Sequence, residues 1–290
     1  MPLRVVIRHE TTYRYDRPVR LSPQVIRLHP SPHGRAEVLD YQLKITPTAH
    51  RVNWLWDAVG NRTARAIFPE ETTELAITVT LSVAISPVNP FDFFLDDYAT
   101  DFPFTYPRDL GGALLPYFMV TETGPELDSF WAAIKREGQK NTISFLTELL
   151  AQLHATIAYT VRPEPGVQPC ALTLRQRSGS CRDTAWLLVQ LLRRQRLAAR
   201  FVSGYQIPLS ADTTELLADT DAQPELHAWA EVYLPGAGWV GLDPTSGLFT
   251  GAGYVPLAVA HSPEGAAAVT GTSSGAEVTL GHSITTEKIS

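Results

Sequence analysis

The sequence predicts an α+β fold with an N-terminal antiparallel β-sandwich-like domain over residues 1–88, a helical segment and core over 89–260, and a Gly/Ala/Ser/Thr tail over 261–290. Three observations carry this expectation. Apolar residues alternate at period two up to about residue 88, the period turns helical after Pro87 and Pro90, and strand-like runs return behind one helix that is apolar on nearly every side.

Leu3, Val5 and Ile7, set between Arg4 and Arg8, open the first strand. Leu39, Tyr41, Leu43 and Ile45 alternate with Asp40, Gln42 and Lys44, and Leu75 to Ile85 repeats the pattern, so both read as strands with one wet face. Pro30 to Gly34 and Gly60-Asn61 supply turns. Further on, Leu127, Phe130, Trp131 and Ile134 recur at helical spacing, as do Leu146, Leu149, Leu150, Leu153 and Ile157. His154 sits at the edge of that second apolar face and reads as a packed or surface residue. From Asp183 to Arg196, apolar residues surround the helix, which is the mark of a central, buried element. Arg193, Arg194 and Arg196 close it with positive charge suited to the helix dipole and read as a cap in solvent. Ala199 to Ile207, His227 to Leu234 and Trp239 to Asp243 are strand-like, and from Gly265 onward there is little to bury, so the tail is expected to be loosely ordered.

With 24 Lys plus Arg against 30 Asp plus Glu, the chain carries a net charge of −6 and no basic stripe, which argues against nucleic acid as a partner. At 290 residues it can bury a core without staples. Its two cysteines, Cys170 and Cys181, stand eleven apart, a spacing that fits neither a disulfide framework nor a zinc site, so no metal and no cofactor is expected. The opening residues lack an apolar leader and no run approaches the roughly 20 residues that span a bilayer, so the expected location is cytoplasmic, with no membrane partner. Asn61-Arg62-Thr63 matches a glycosylation sequon by chance.

Chemistry concentrates at Cys181. It follows Ser178-Gly179-Ser180 and opens the buried helix, where unpaired N–H groups and the dipole favour a thiolate and can hold an oxyanion. Gly179 is expected to let a substrate backbone come close. A thiolate needs a base, and the base an orienting group. His227 and Asp243 supply them, 46 and 62 residues downstream. The turn Pro235-Gly236-Ala237-Gly238 allows two registers. Pairing Leu234 with Trp239 turns Asp243 away from His227, whereas pairing Tyr233 with Trp239 puts Asp243 diagonally from His227 on one face. A Cys-His-Asp triad requires the second.

These segments resemble a family. Gly179-Ser180-Cys181-Arg182-Asp183-Thr184-Ala185-Trp186, Ala198 to Tyr205, His227-Ala228-Trp229-Ala230-Glu231-Val232-Tyr233, and Gly238 to Thr245 resemble, in order, the bacterial transglutaminase-like superfamily. His9, Thr12, Tyr13, Tyr15, Pro18 to Gln24 and Arg27-Leu28 resemble the β-domain that precedes the core in such proteins. The resemblance implies a papain-like core, a cysteine-bearing helix packed on an antiparallel sheet, with Cys181 as nucleophile, His227 as general base and then acid, and Asp243 fixing the imidazole. It leaves the side-chain donor of the oxyanion hole open between Gln176 and Tyr159.

The expected function is a cysteine-dependent amide hydrolase acting on a peptide or protein amide through a thioacyl intermediate. The alternatives are transfer of the acyl group from a protein glutamine to an amine, and a non-catalytic peptide-binding module. Cys170 reads as an ordinary loop thiol, Phe91 to Tyr98 as packing between the two domains, and Asp183 as a helix N-terminal carboxylate. Trp229 and Trp239 either shield the catalytic pair or pack beside it. Specificity is expected in loops such as Pro208 to Leu226, with Asp212, Glu215, Asp219, Asp221 and Glu225.

Overall fold

The computed structural model describes residues 2–134, 140–210, 216 and 224–289. Six strands form first: β1 (Leu3–Val19), β2 (Gln24–Ile26), β3 (Glu37–Thr46), β4 (Arg51–Trp56), β5 (Arg62–Ile67) and β6 (Thr72–Ile85). They divide between two sheets whose alternating apolar residues meet in one core: Val5, Ile7, Leu75, Ile77, Val79 and Leu81 from one, Ile26, Ala64 and Ala66 from the other. Period-two patterning therefore produces the expected sandwich.

The connecting region holds β7 (Asp101–Phe102), α1 (Arg108–Ala113), α2 (Pro125–Ala133), β8 (Lys140–Asn141) and α3 (Thr142–Thr156). The core follows with β9 (Ala158–Tyr159), α4 (Cys170–Gln176), β10 (Ser178–Gly179), α5 (Cys181–Arg194), β11 (Ala199–Gln206), β12 (Glu225–Leu234), β13 (Gly238–Asp243), β14 (Leu248–Phe249) and β15 (Tyr254–Ala260). Strands β14-β13-β12-β11-β15 make one antiparallel sheet. Twelve of the fourteen residues of α5 are buried, which makes it the central helix its sequence predicted. Ala228, Ala230, Val232 and Leu234, one face of β12, share its hydrophobic cluster. The opposite face carries His227, Trp229, Glu231 and Tyr233.

The tail is ordered, against expectation. Strand β16 (Val269–Thr270) joins β2, and β17 (Val278–Lys288) pairs with β1 from Tyr15↔Val278 to Val5↔Lys288. Composition suggested otherwise because β17 is an exposed edge strand held by backbone hydrogen bonds, with little side chain to bury. The sandwich thus draws strands from both ends of the chain, and its sheet orders are β17-β1-β6-β3 and β16-β2-β5-β4.

The sandwich also grips the core's outer strand. Asn61 is buried, donates to Val259 O and accepts from Val259 N–H, both at 2.8 Å, so the side chain of the sequon serves as a strand partner. Ser31 donates to Leu257 O at 3.0 Å, and His9 Nδ1 lies 3.0 Å from the Tyr205 hydroxyl. His33 meets Glu231 at 3.0 Å, and Glu231 accepts from Arg200 Nε at 2.7 Å.

Several local expectations change. Arg193 is buried, not in solvent, and donates to the carbonyls of Met119, Ala199 and His261, while Arg194 pairs with Asp128. The Phe91 to Tyr98 segment packs on the core's own sheet, not between the domains: Phe91 lies against Phe249 of β14, and Asp96 N–H donates to Pro235 O in the β12–β13 turn. Gly236 fits there because a Cβ would stand 2.6 Å from Asp96 N.

Candidate active site

The β12–β13 hairpin adopts the register that a triad requires. Tyr233 faces Trp239, Val232 faces Val240 and Ala230 faces Leu242. Leu234 pairs with Gly238 and Ala237 N–H donates to Leu234 O, leaving Pro235-Gly236-Ala237 as the turn. Asp243 therefore reaches the His227 side of the sheet, and His227 Nε2 lies 3.1 Å from Asp243 Oδ2. Both residues are buried.

Asp243 is held by more than the imidazole. Its Oδ1 accepts from Thr245 N–H at 2.8 Å, and its Oδ2 accepts from the Tyr254 hydroxyl at 2.7 Å. Burial raises the Asp243 carboxyl, but the His227, Tyr254 and Thr245 bonds outweigh it and hold the group below the usual carboxylate range. Burial likewise pulls His227 down, yet Asp243, Cys181 and Glu225 together push it up to about 12. Asp243 thus favours the charged form of the imidazole, whose Nε2 faces its carboxylate.

The other ring nitrogen, Nδ1, is buried and has no aligned hydrogen-bond partner. The Glu225 carboxylate stands 3.2 Å from it, too poorly aligned to satisfy it, and Cys181 is close enough to act on the same ring. Cys181 comes to this place as the first residue of α5. Asp183 builds that helix start: its carboxylate accepts from Ser180 N–H at 2.9 Å, Ser180 Oγ at 2.8 Å, Gln168 N–H at 2.8 Å and Arg162 Nε at 2.9 Å. Asp183 is more than a dipole partner, being the hub that ties the preceding loop to the helix. Gly179 has a packing role here, since a Cβ would lie 3.0 Å from Asp183 Cβ and 3.2 Å from Thr173.

Of the two oxyanion-hole candidates, Tyr159 lies at the site. Gly179 pairs with Tyr159 in the parallel β9–β10 bridge, and Thr160 N–H donates to Gly179 O at 3.0 Å. Burial, then Glu225 and Cys181, raise the Tyr159 phenol, which places its ring among the same groups. Gln176 is exposed at the C-terminal end of α4. Trp229 is buried and stacks beside His227 at 6.5 Å and 26°, with Tyr254 edge-on to both. Gly204, opposite His227 in the ladder, admits that ring, for a Cβ would stand 2.5 Å from it. Trp239 instead packs under Arg200, 4.1 Å from its centroid, and against Tyr233. So Trp229 packs beside the His227 ring, and Trp239 packs on Arg200 and Tyr233.

Cys170 is a fully buried free thiol at the start of α4 rather than in a loop. Its N–H donates to Glu122 at 2.6 Å, and burial followed by Glu122 pushes the thiol far up. His154 Nδ1 lies 2.8 Å from Thr245 O, beside the strand end that carries Asp243. Asp212, Glu215, Asp219 and Asp221 lie outside the described residues, whereas Glu225 stands at the site. Tyr254 escaped sequence reasoning altogether. The alternation of Val255, Leu257 and Val259 in its strand was the available signal. Among the described residues no cluster of three metal-binding side chains occurs, and no helix is long and apolar enough to cross a membrane.

Comparison with known proteins agrees with this architecture. Residues 5–84 match the family model of the bacterial transglutaminase-like N-terminal region, and residues 130–244 match that of the transglutaminase-like superfamily. An uncharacterised protein of Mycobacterium tuberculosis is 27% identical over 250 residues, covering 83% of this chain and 78% of that one. A protein-glutamine gamma-glutamyltransferase of Pseudomonas aeruginosa is 35% identical over 97 residues, 32% of this chain and 14% of the relative. The crystal structure of a candidate cysteine protease from Cytophaga hutchinsonii superposes with a TM-score of 0.72 at 19% identity, covering 100% of this chain and 92% of that one, a likeness of fold. The chain belongs to the transglutaminase-like superfamily, with the bacterial transglutaminase-like N-terminal region ahead of its core.

Proposed function

We propose that the protein is a cysteine-dependent amide hydrolase whose nucleophile is Cys181. The observation that carries the reading is the setting of His227: buried, bound to Asp243 through Nε2, and left with an unsatisfied Nδ1 on the side of the cysteine. A buried N–H without a partner is costly, and the Cys181 sulfur at the start of α5 is the acceptor on offer. Cys181 attacks the carbonyl carbon of a peptide or side-chain amide while the first turn of α5 and Tyr159 receive the oxyanion. Nδ1–H then protonates the departing nitrogen, the C–N bond breaks, and a thioacyl intermediate remains. Water, deprotonated by the now neutral imidazole, releases the acid. Asp243 keeps the ring in this orientation throughout.

Iodoacetamide labelling near neutral pH tests the reading. Cys181 is expected to react faster than a free thiol, and Cys181→Ala to abolish hydrolysis of a peptide library. Labelling no faster than a free thiol, with hydrolysis unchanged in the variant, would reject it.

Acyl transfer to an amine is the second reading, favoured by the 97-residue similarity to a protein-glutamine gamma-glutamyltransferase. It uses the same intermediate, so water and amine compete for it. Incorporation of a fluorescent primary amine into a glutamine-containing protein would establish it, and hydrolysis without incorporation would exclude it.

A further inference from the structure

Glu225 opens β12 two residues before His227, and its side chain remains 44% exposed while that of His227 is 1% exposed. Its Oε1 lies 3.2 Å from Nδ1, the one ring nitrogen that Asp243 leaves free. Tyr159 pairs with Gly179, two residues before Cys181, and lies within electrostatic range of Glu225, Cys181, His227 and Arg182. The cation among them is otherwise engaged, because Arg182 donates to the carbonyls of Arg162 at 2.9 Å and Glu164 at 3.1 Å. Among the described residues the ion-pair partner of the Glu225 carboxylate is the His227 ring, which it meets off axis.

The position of Nδ1 says what the carboxylate borders. Whatever leaves the carbonyl carbon must come within about 3 Å of the proton donor to be protonated. A carboxylate on the same nitrogen therefore lies next to the leaving group, away from the acyl side. The geometry points to Glu225 as a specificity residue of the leaving-group side, selecting amides whose leaving amine carries a second, positive group close to the scissile bond. This rests on Cys181 being the nucleophile. By microscopic reversibility the same subsite would hold a cationic amine arriving to accept the acyl group. A substrate cation pairs with Glu225 and so sits beside Nδ1, where the departing atom takes its proton. An anionic leaving group meets repulsion instead.

Phenylacetyl thioesters that share one acyl group and differ only in the leaving thiol isolate this side. Thiocholine is cationic, ethanethiol neutral and 2-mercaptoethanesulfonate anionic. In each, Cys181 Sγ bonds the carbonyl carbon, the C–S bond breaks, and the departing sulfur takes its electron pair and the His227 proton. Thiol release in a single turnover is the readout. The wild-type chain is expected to acylate from the thiocholine ester about tenfold faster than from the sulfonate ester. In Glu225→Gln that ratio should fall near one, and in Glu225→Lys it should invert. Each ratio is internal to one protein, so a general loss of activity does not mimic the effect. An equal ratio in all three chains, with a burst that Cys181→Ala lacks, would overturn the role of Glu225 alone. No burst from any ester in the wild-type chain would overturn the nucleophile assignment and this subsite with it.

Discussion

Cys170 and Cys181 begin consecutive helices, both as buried free thiols, and only their surroundings separate them. Cys170 meets Glu122, a carboxylate that takes its backbone N–H and pushes its thiol up. Cys181 has His227 nearby, a ring whose Nδ1 lacks an aligned partner. A helix start is common to both, so it does not make a nucleophile. In the proposed reading the partner does, together with the frame that holds the partner still.

The largest expected effects divide the two cysteines. Cys181→Ala should reduce acylation by an activated thioester at least ~10⁴-fold. Cys170→Ala should keep the rate within about twofold and cost about 1 kcal/mol of stability in urea denaturation. Asp243→Asn should lower kcat about 10²–10⁴-fold, because an amide can donate to Nε2 and stabilise the wrong tautomer. It also removes the strongest influence raising His227. The alkaline decline in activity, which follows loss of the His227 proton, should therefore shift to lower pH in this variant.

Next comes the frame of α5. Asp183→Ala leaves Arg162, Ser180 and Gln168 without their shared acceptor and should cost about 3–5 kcal/mol in urea denaturation. Tyr254→Phe removes one bond to Asp243 and should slow acylation about tenfold or less, with stability little altered.

The smallest effect is the pH dependence of stability. Asp183 and Asp243 are both held below the ordinary value of 3.8, so their contribution is complete above that value and lost as pH falls through the lower, folded values. His227 runs the other way: raised from 6.5, it contributes fully below 6.5 and fades as pH climbs towards about 12. Acid unfolding should thus begin below pH 3.8 and begin at higher pH in Asp183→Asn, a shift measurable by circular dichroism.

Much of this arrangement was legible from the residues. Period-two patterning identified the sandwich, apolar residues all round identified α5, and the hairpin register followed from requiring Asp243 and His227 on one face. What stayed hidden depends on contacts distant in the chain. Strand β17 has a composition poor in apolar residues and is held to β1, more than 260 residues away, by main-chain bonds that composition does not report. Arg193 has the sequence of a solvent cap, yet three carbonyls from separate segments converge on it. Tyr254 reaches Asp243 only because β15 crosses to the far side of β11. Glu225 looked like one acid among several in a loop, and only the position of Nδ1 singles it out.

Intact-mass analysis after brief exposure to an activated thioester tests the central claim most directly. The account predicts one acyl group per chain, mapped to the peptide carrying Cys181, absent in Cys181→Ala and retained in Cys170→Ala. An acyl group on Cys170, or equal acylation in Cys181→Ala, would contradict it.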